Sequence, residues 1–505
     1  MQVNSLEYLI FVLIVLAMYY SLGQLFKIQK YVLVVANIIF FLNVSGLKNF
    51  IISLILIGVV FEAAIIVEKY NCEDKKNLAK VFFYGATAID IIVLCFFKFY
   101  KPALELIDKM FFRTELTIES IIKPVGIAFF SLTILGYLID VYHKKGVAEK
   151  NFIQFIQFAF YFPAIVQGPF CNYNEISTQA NKQRKLDLRC FEKGLLRFLW
   201  GATKKIVIAD RIAIIVSGIL GQDDNYGIII FYAFFLYSFQ IYADFSGGID
   251  MIMGVSQWFG IELPENFKAP LLSQNVTEYW KRWHMTLGRW MERYVYYPIV
   301  FDKKIYNFSK KIKNKYYRNA FSAVLASIIV FILVGIWHGT GWNYVVYGAY
   351  QAFFVSFAII AEPFYKTIRK RINLNNESIS WTMFKVMRTM IILIFGRYLI
   401  KSSDLAQAWE LLERTFASVD GFRLLDGTLL QYGLDYKNFI VMNMGMCVLF
   451  ISDLFKYKNI FIFDWIQKQD WIFRSFICII LLFSIIVLGI YGPEYNESMF
   501  VYGGF

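Results

Sequence analysis

Apolar stretches about as long as a lipid bilayer is thick recur along the whole chain, and they constrain its fold more than any other feature. A membrane helix needs about 20 apolar residues to cross roughly 30 Å of hydrocarbon. Several of the stretches contain Gly, Pro or a charged residue, which predicts that some helices are tilted or re-entrant. The candidate spans are residues 5–22, 31–48, 50–67, 79–97, 124–142, 152–168, 195–217, 226–243, 320–338, 342–361, 381–400, 437–455 and 472–491. The chain is therefore predicted to be all-α, a polytopic membrane protein with about 10–13 transmembrane helices plus short re-entrant or interfacial helices.

The composition agrees with this class and argues against several others. The chain is 58% hydrophobic and 18% charged, and a soluble protein has no place to bury so much apolar surface. No repeat of fixed period and no linker divides the sequence, so residues 1–505 are interpreted as a single integral membrane domain. The six cysteines lack C-x-x-C spacing, which predicts neither a metal site nor a disulfide framework. Phosphate-binding glycine loops, H-E-x-x-H and G-x-S-x-G are missing, which argues against an ATPase, a zinc protease and an ordinary serine hydrolase.

Lysine and arginine placement predicts the orientation of the chain in a cell membrane. Lys27 and Lys30 lie between the first two candidate spans, and Lys75, Lys76 and Lys80 lie before and at the start of the fourth. Because short cytoplasmic loops carry the excess of basic residues, the N-terminus is predicted to be extracytoplasmic. The net charge of +13 is then explained by loops that face anionic lipid, and no nucleic-acid partner is expected.

Two of the three histidines follow a tryptophan, and they are the first candidates for chemistry. An unperturbed imidazole titrates near neutral pH and so suits proton transfer. His284 lies in the long stretch 257–319, which is predicted to form short interfacial helices on the cytoplasmic side. His338 ends the candidate span 320–338, deep in the membrane or toward its outer side, so the two histidines are expected to lie apart. In the alternative interpretation they are buried packing residues among interfacial tryptophans.

Several motifs around these histidines resemble one family. The motifs that carry the resemblance are Leu263-Pro-Glu-Asn-Phe-Lys-Ala-Pro270, Glu278-Tyr-Trp-Lys-Arg-Trp-His284, Gly335-Ile-Trp-His338-Gly339, Pro124-Val-Gly126, Tyr137-Leu-Ile-Asp140, Gln167-Gly-Pro169, Tyr242-Ala-Asp244 and Phe395-Gly-Arg397. Together they resemble the membrane-bound O-acyltransferase (MBOAT) family over about residues 90–415. Within that family they are most similar to the bacterial branch that acetylates alginate or D-alanylates teichoic acid.

The resemblance implies a fold of tilted helices around a central tunnel, and an O-acyltransferase that modifies a cell-surface polysaccharide or cell-wall polymer. It implies an acyl thioester donor, acetyl-CoA or a phosphopantetheinyl carrier, with no bound cofactor or metal. It also implies an extracytoplasmic hydrolase-like acyltransferase as partner. Acetyl is the expected acyl group. The alternatives are D-alanyl transfer to teichoic acid from a carrier protein, and a non-catalytic lipid or glycan transporter.

Seven residues are the candidates for the site. His338 matches the family's catalytic histidine and is expected to act as general base, since acyl transfer to a hydroxyl needs a proton acceptor. His284 is expected to orient the donor, to hydrogen-bond the developing oxyanion or to hold its loop. Arg282 and Arg289, with Arg293, are expected on one helical face where they attract a phosphate-bearing donor or lipid head groups. The remaining candidates for donor binding or tunnel lining are Trp283, Trp337 and Asp244. Asp244 is expected either to orient a histidine or pair with a buried arginine such as Arg397, or to form a structural salt bridge.

Overall fold

The computed structural model describes residues 3–25, 27–108, 124–373, 375–418 and 421–491, and all regular secondary structure within them is helical. The predicted all-α polytopic class is confirmed. Seven helices in these ranges are long and apolar enough to cross a membrane: Gln29–Cys72, Lys76–Glu105, Ile228–Trp258, Lys315–His338, Trp342–Arg371, Tyr436–Tyr457 and Trp471–Leu488. Leu6–Tyr20 and Ile127–Tyr142 are shorter apolar helices. The family-like range of about 90–415 includes residues 109–123, which lie outside the described residues.

By packing, the chain divides into two compact units. The first comprises the described residues of Met1–Phe198 and Gly248–Pro264, and the second those of Leu199–Gly247 and Glu265–Val501. The other helical segments are Leu22–Leu25, Phe152–Ala159, Tyr173–Ala180, Leu188–Ala202, Thr203–Ala209 (a π-helix), Asp210–Leu220, Pro270–Leu272 (3-10), Val276–Arg282, Met285–Met291, Glu292–Tyr296 (π), Tyr297–Val300, Lys303–Ser309, Ile379–Lys401, Leu405–Phe416, Phe422–Leu424 and Thr428–Gln431 (both 3-10), and Ile462–Gln467. The stretch 257–319 thus carries the predicted short helices.

Many of the helices begin at a short polar residue whose side chain accepts hydrogen bonds from backbone N–H groups of the first turn. The first turn of a helix leaves backbone N–H groups without partners, and Ser, Asn and Asp accept from them. Asn314 caps the Lys315–His338 helix by accepting from the N–H groups of Tyr316 and Tyr317. Ser5, Asn151, Asn275, Asp302, Ser378, Asp404 and Asp435 cap other helices in the same way.

The Gln29–Cys72 helix consists of two antiparallel halves. Gly46 at its centre has φ 77° and ψ 167°, which breaks the helix. Phe61 packs on Phe155, with ring centroids 5.5 Å apart. Asn37 donates to the carbonyl of Gln157, which is only two residues after Phe155. In a straight helix positions 37 and 61 would be about 36 Å apart. The candidate spans 31–48 and 50–67 are therefore the two halves of one hairpin.

The candidate span 152–168 is not a continuous helix. The helix Phe152–Ala159 has eight residues, and the chain then turns through Tyr161, whose carbonyl accepts from Ala164 N at 3.0 Å. Eight residues rise only about 12 Å, and Pro163 cannot donate to a helical ladder. Asn37, which is buried, accepts from Phe162 N at 2.9 Å and so satisfies one of the N–H groups left by the break.

Candidate active site

His338 lies where it was predicted, as the last residue of the Lys315–His338 helix, and it is 4% exposed. The next helix, Trp342–Arg371, returns alongside it. The two helices approach closely at glycines: a Cβ added to Gly335 would lie 2.4 Å from the carbonyl oxygen of Tyr344, and one added to Gly348 would lie 2.4 Å from that of Phe331. Backbone-to-backbone contact of this kind needs residues without side chains, and it fixes the end of the helix that carries His338.

His284 lies at a sharp break between two short helices. Trp283 is extended, with φ −101° and ψ 127°, and His284 itself is left-handed, with φ 48° and ψ 51°. A residue other than glycine in the left-handed region of backbone conformation raises the free energy of the folded state by about 1–2 kcal/mol. The surroundings must therefore hold the break in place.

Asn266 provides that support from 18 residues earlier in the chain. Its backbone carbonyl accepts from Met285 N at 2.9 Å, and its side-chain oxygen Oδ1 accepts from Thr286 N at 3.1 Å. Thr286 Oγ1 donates to the same oxygen at 2.9 Å, and His284 Nδ1 lies 3.1 Å from it. The first N–H groups of the Met285–Met291 helix are thus satisfied by a distant residue and not by a local cap.

The two histidines are brought together, and the prediction that they lie apart is wrong. The rings of His284 and His338 both contact the indole of Trp337, at centroid distances of 6.1 Å and 5.0 Å. Phe245 covers His284 edge-on at 4.9 Å. Burial lowers the pKa of His284 well below its usual value, and charge repulsion from His338 lowers it further. His284 is therefore neutral at physiological pH.

The candidate Trp283 is 2% exposed and packs in an aromatic cluster under His284. Its indole stacks on Tyr279 at 5.6 Å, and the guanidinium of Arg397 lies 5.4 Å from the indole centroid. Arg397 is also 2% exposed and donates to the Tyr279 hydroxyl at 2.6 Å. The candidate Trp337, 6% exposed, is the ring shared by the two histidines.

The prediction that Arg282, Arg289 and Arg293 share one face of a helix is wrong, because the chain is not helical at Trp283 and His284. Arg282 ends the helix Val276–Arg282, whereas Arg289 belongs to the helix Met285–Met291. Arg282 forms an ion pair with Glu278 at 2.6 Å and lies over the ring of Tyr457 at 4.6 Å. Both arginines are partly exposed, and a role for them in donor binding stays a prediction.

Asp244 forms a structural salt bridge, the second of the two predicted alternatives. Its carboxylate lies 2.7 Å from Lys205 Nζ, and both side chains are almost fully buried. Lys205 also pairs with Asp210 at 3.0 Å, while the adjacent Lys204 donates to Ser246 Oγ at 2.9 Å. Two consecutive lysines inside the candidate span 195–217 are a sequence signal for such buried acidic or polar partners.

Other buried polar residues of this unit were also missed. Asn266 lies inside the motif 263–270, where nothing in the sequence marks it for the site, and Asp453, which accepts from the Tyr242 hydroxyl at 2.7 Å, lies in no motif at all. Among the described residues, no group of three or more His, Cys, Asp or Glu side chains is placed to hold a metal ion.

The chain is similar to known membrane acyltransferases over most of its length. A model of the membrane-bound O-acyltransferase family matches residues 143–401, just over half of the chain and a range that includes both site histidines. The chain is 27% identical to a peptidoglycan O-acetyltransferase of Helicobacter pylori over 82% of this chain and 81% of that protein. It is 28% identical to a "Probable alginate O-acetylase" of Pseudomonas syringae over 66% of this chain and 63% of that protein.

A teichoic acid D-alanyltransferase of Bacillus subtilis is 31% identical over 46% of this chain and 58% of that protein. The matched region thus spans less than two thirds of the P. syringae and B. subtilis relatives. The family match covers the break at His284, the helix end at His338 and Arg397. This chain, a multi-pass membrane protein, belongs to the membrane-bound O-acyltransferase family.

Proposed function

We propose that this protein is a membrane-bound O-acyltransferase that moves an acetyl group from a cytoplasmic thioester to an extracytoplasmic hydroxyl of a cell-surface or cell-wall polymer. The observation that carries the proposal is the pair of buried imidazoles, His284 and His338, against one indole ring in a chain of this family. A buried neutral imidazole is a ready proton acceptor. Packing of the aromatic side chains does not by itself require two imidazoles next to Trp337.

His338 is the proposed general base. As the acceptor oxygen attacks the thioester carbonyl carbon, the O–H bond breaks and its proton moves to the imidazole. The C–S bond then breaks, an ester is formed, and the thiolate leaves with the proton that the imidazole took up. Trp337 contacts both imidazoles and Phe245 covers that of His284, so the pair lies in apolar surroundings that favour the neutral form.

Acetyl is favoured over D-alanyl by the extent of the similarity. The relatives named for acetylation of alginate or peptidoglycan match 66% and 82% of this chain, whereas the D-alanyltransferase of B. subtilis matches 46%. Ester-linked acyl groups released by mild base from the cell envelope distinguish the two: acetate is expected, and D-alanine in its place would identify the alternative.

The remaining parts of the proposal concern sidedness and partners. The enzyme is placed in the cell membrane with its N-terminus outside, with a tunnel that joins the donor and acceptor sides. The donor is acetyl-CoA or an acyl carrier protein, and Arg282 and Arg289 are proposed to attract its phosphates. A separate extracytoplasmic hydrolase-like acyltransferase is the proposed partner that completes transfer to the polymer.

Replacement of His338 by Ala tests the proposal. Loss of a general base typically slows a reaction by about 10²–10⁴-fold, so envelope acylation is expected to fall to background in cells that contain normal amounts of the H338A protein. His143, the third histidine, is exposed, and His143→Gln is the matched control that should keep acylation. Wild-type acylation in H338A cells would contradict the enzyme hypothesis and favour the transporter.

A further inference from the structure

The side-chain amide of Asn266 has one possible orientation. A backbone N–H can only donate a hydrogen bond, so the Asn266 atom that faces Thr286 N at 3.1 Å must be the carbonyl oxygen. The Thr286 hydroxyl donates to the same atom. The Asn266 amide nitrogen Nδ2 has no hydrogen-bond partner among the described residues, so nothing on that side opposes this orientation. The side chain is fully buried.

This orientation determines the tautomer of His284. Its Nδ1 lies 3.1 Å from Asn266 Oδ1, an oxygen that can only accept, so Nδ1 carries the hydrogen and donates. In a neutral imidazole the other nitrogen then bears the lone pair. Nε2 of His284 is therefore an acceptor, and it has no N–H to offer to a carbonyl oxygen.

We propose that Asn266 is a positioning residue that holds His284 in the Nδ1–H tautomer, so that His284 serves acyl transfer as an acceptor at Nε2. The inference rests on the proposed function and narrows it. With Nε2 as acceptor, His284 can bind the hydroxyl of the acyl acceptor or take a proton from it. Stabilisation of the oxyanion through an N–H of neutral His284, one of the roles open at first, is excluded.

The tautomer itself is measurable without any substrate, because the chain has only three histidines. The purified full-length protein, labelled with 15N-histidine in lipid nanodiscs, gives separate 15N chemical shifts for protonated and unprotonated ring nitrogens. His143→Gln and His338→Gln assign the signals by elimination. We expect Nδ1 of His284 to be protonated and Nε2 to be unprotonated at pH 7. A proton on Nε2 overturns the proposal, whatever the activity.

Two variants of Asn266 test whether the positioning matters for the reaction. Asn266→Leu keeps the branched shape of the side chain but removes the acceptor, so the Nε2–H form should grow and the rate should fall by about 10²-fold or more, as for a catalytic histidine in the wrong tautomer. Asn266→Asp keeps an acceptor and adds a negative charge. It should retain the Nδ1–H form and raise the pKa of His284 from its lowered value, since the charge opposes the effects of burial and of His338. The acidic limb of the pH–rate profile should then move to higher pH.

A buried asparagine away from the histidines is the matched control. Asn225, 1% exposed, accepts from the Tyr432 hydroxyl at 2.6 Å, and Asn225→Asp should leave both the histidine shifts and the pH profile in place. An unchanged rate in Asn266→Leu, or an unshifted profile in Asn266→Asp, would overturn the positioning role. If Asn266→Leu does not fold, the wild-type shifts and the aspartate variant still decide. Acylation that persists in His338→Ala contradicts the proposed function alone, because the tautomer is measured independently of it.

Discussion

Arg397 is a single residue that holds together the aromatic side chains next to His284. It is buried, its guanidinium donates to Tyr279, and it lies over the faces of Tyr279 and Trp283 at 5.9 Å and 5.4 Å. A lysine offers neither the flat fork nor the stacking surface. We expect Arg397→Lys to lower the free energy of unfolding by about 2–4 kcal/mol through the lost cation–π and hydrogen-bond contacts. Chemical unfolding in detergent, followed by tryptophan fluorescence, measures the change.

Tyr279→Phe is the matched comparison, because it removes the hydroxyl and keeps both rings. The loss should be limited to one hydrogen bond with a charged donor, about 1.5–3 kcal/mol. If the two variants lose the same amount, the stacking of Arg397 on Trp283 contributes nothing. Both variants should also reduce acyl transfer, since Trp283 directly precedes His284.

Among single residues, the sequence identified the two histidines as candidates but did not predict their arrangement. His338 was predictable because it ends an apolar stretch. The contact between His284 and Trp337 was not predictable, because 53 positions separate the two residues and the contact depends on the left-handed backbone at His284. That conformation depends in turn on hydrogen bonds that Asn266 accepts from this segment, and no local pattern around residue 284 indicates them.

The hairpin formed by the helices Lys315–His338 and Trp342–Arg371 is the element that positions His338. A Cβ on Gly348 would lie 2.4 Å from the carbonyl oxygen of Phe331. Gly348→Ala must therefore separate the helices, and we expect a loss of stability of about 1–3 kcal/mol from overpacking, with reduced acyl transfer. In the Lys76–Ile107 helix a Cβ on Gly85 meets no atom within 4 Å. Gly85→Ala is the control and should be neutral or slightly stabilising, so equal losses in the two variants would contradict the close contact.

A buried ion pair joins the π-helix Thr203–Ala209 to the helix Ile228–Trp258. Lys205→Met leaves the Asp244 carboxylate buried without this lysine, and we expect a loss of about 3–5 kcal/mol. The double variant Lys205→Met with Asp244→Leu should recover part of it, because it avoids the burial of the Asp244 charge, although it also removes the Lys205–Asp210 ion pair. Thermal unfolding in detergent measures both. A double variant that folds but has lost acyl transfer would show that the pair has a role beyond structure.

At the element scale apolar length predicted most helices but not their interruptions. The long helices near the C-terminus follow the candidate spans closely. The stretch 152–168 contains enough apolar residues for a span, yet its helix ends at Ala159, and Asn37 from another helix accepts from Phe162 N in the turn that follows. A partner of this kind lies outside any window of local sequence.

The kink at Gly46 brings the basic residues near the two ends of the Gln29–Cys72 helix to the same end of one hairpin. The two halves of Gln29–Cys72 run antiparallel, so Gln29 and Cys72 lie at one end of the hairpin and Gly46 at the other. Lys27, Lys30, Lys75 and Lys76 gather near the first end. Since basic loops stay in the cytoplasm, the turn at Gly46 should face outward and the N-terminus should be outside with it.

Cysteine labelling tests this orientation, because the chain supplies an exposed thiol at the basic end of the hairpin. Cys72 is exposed, and Leu47, beside the turn, is 64% exposed. In a chain with the other five cysteines replaced by Ala, a membrane-impermeant maleimide should label Cys72 in inside-out vesicles but not in intact cells. With Cys72 also replaced, Leu47→Cys should show the opposite pattern. Labelling of Cys72 in intact cells would contradict this orientation and would place the turn at Gly46 on the cytoplasmic side.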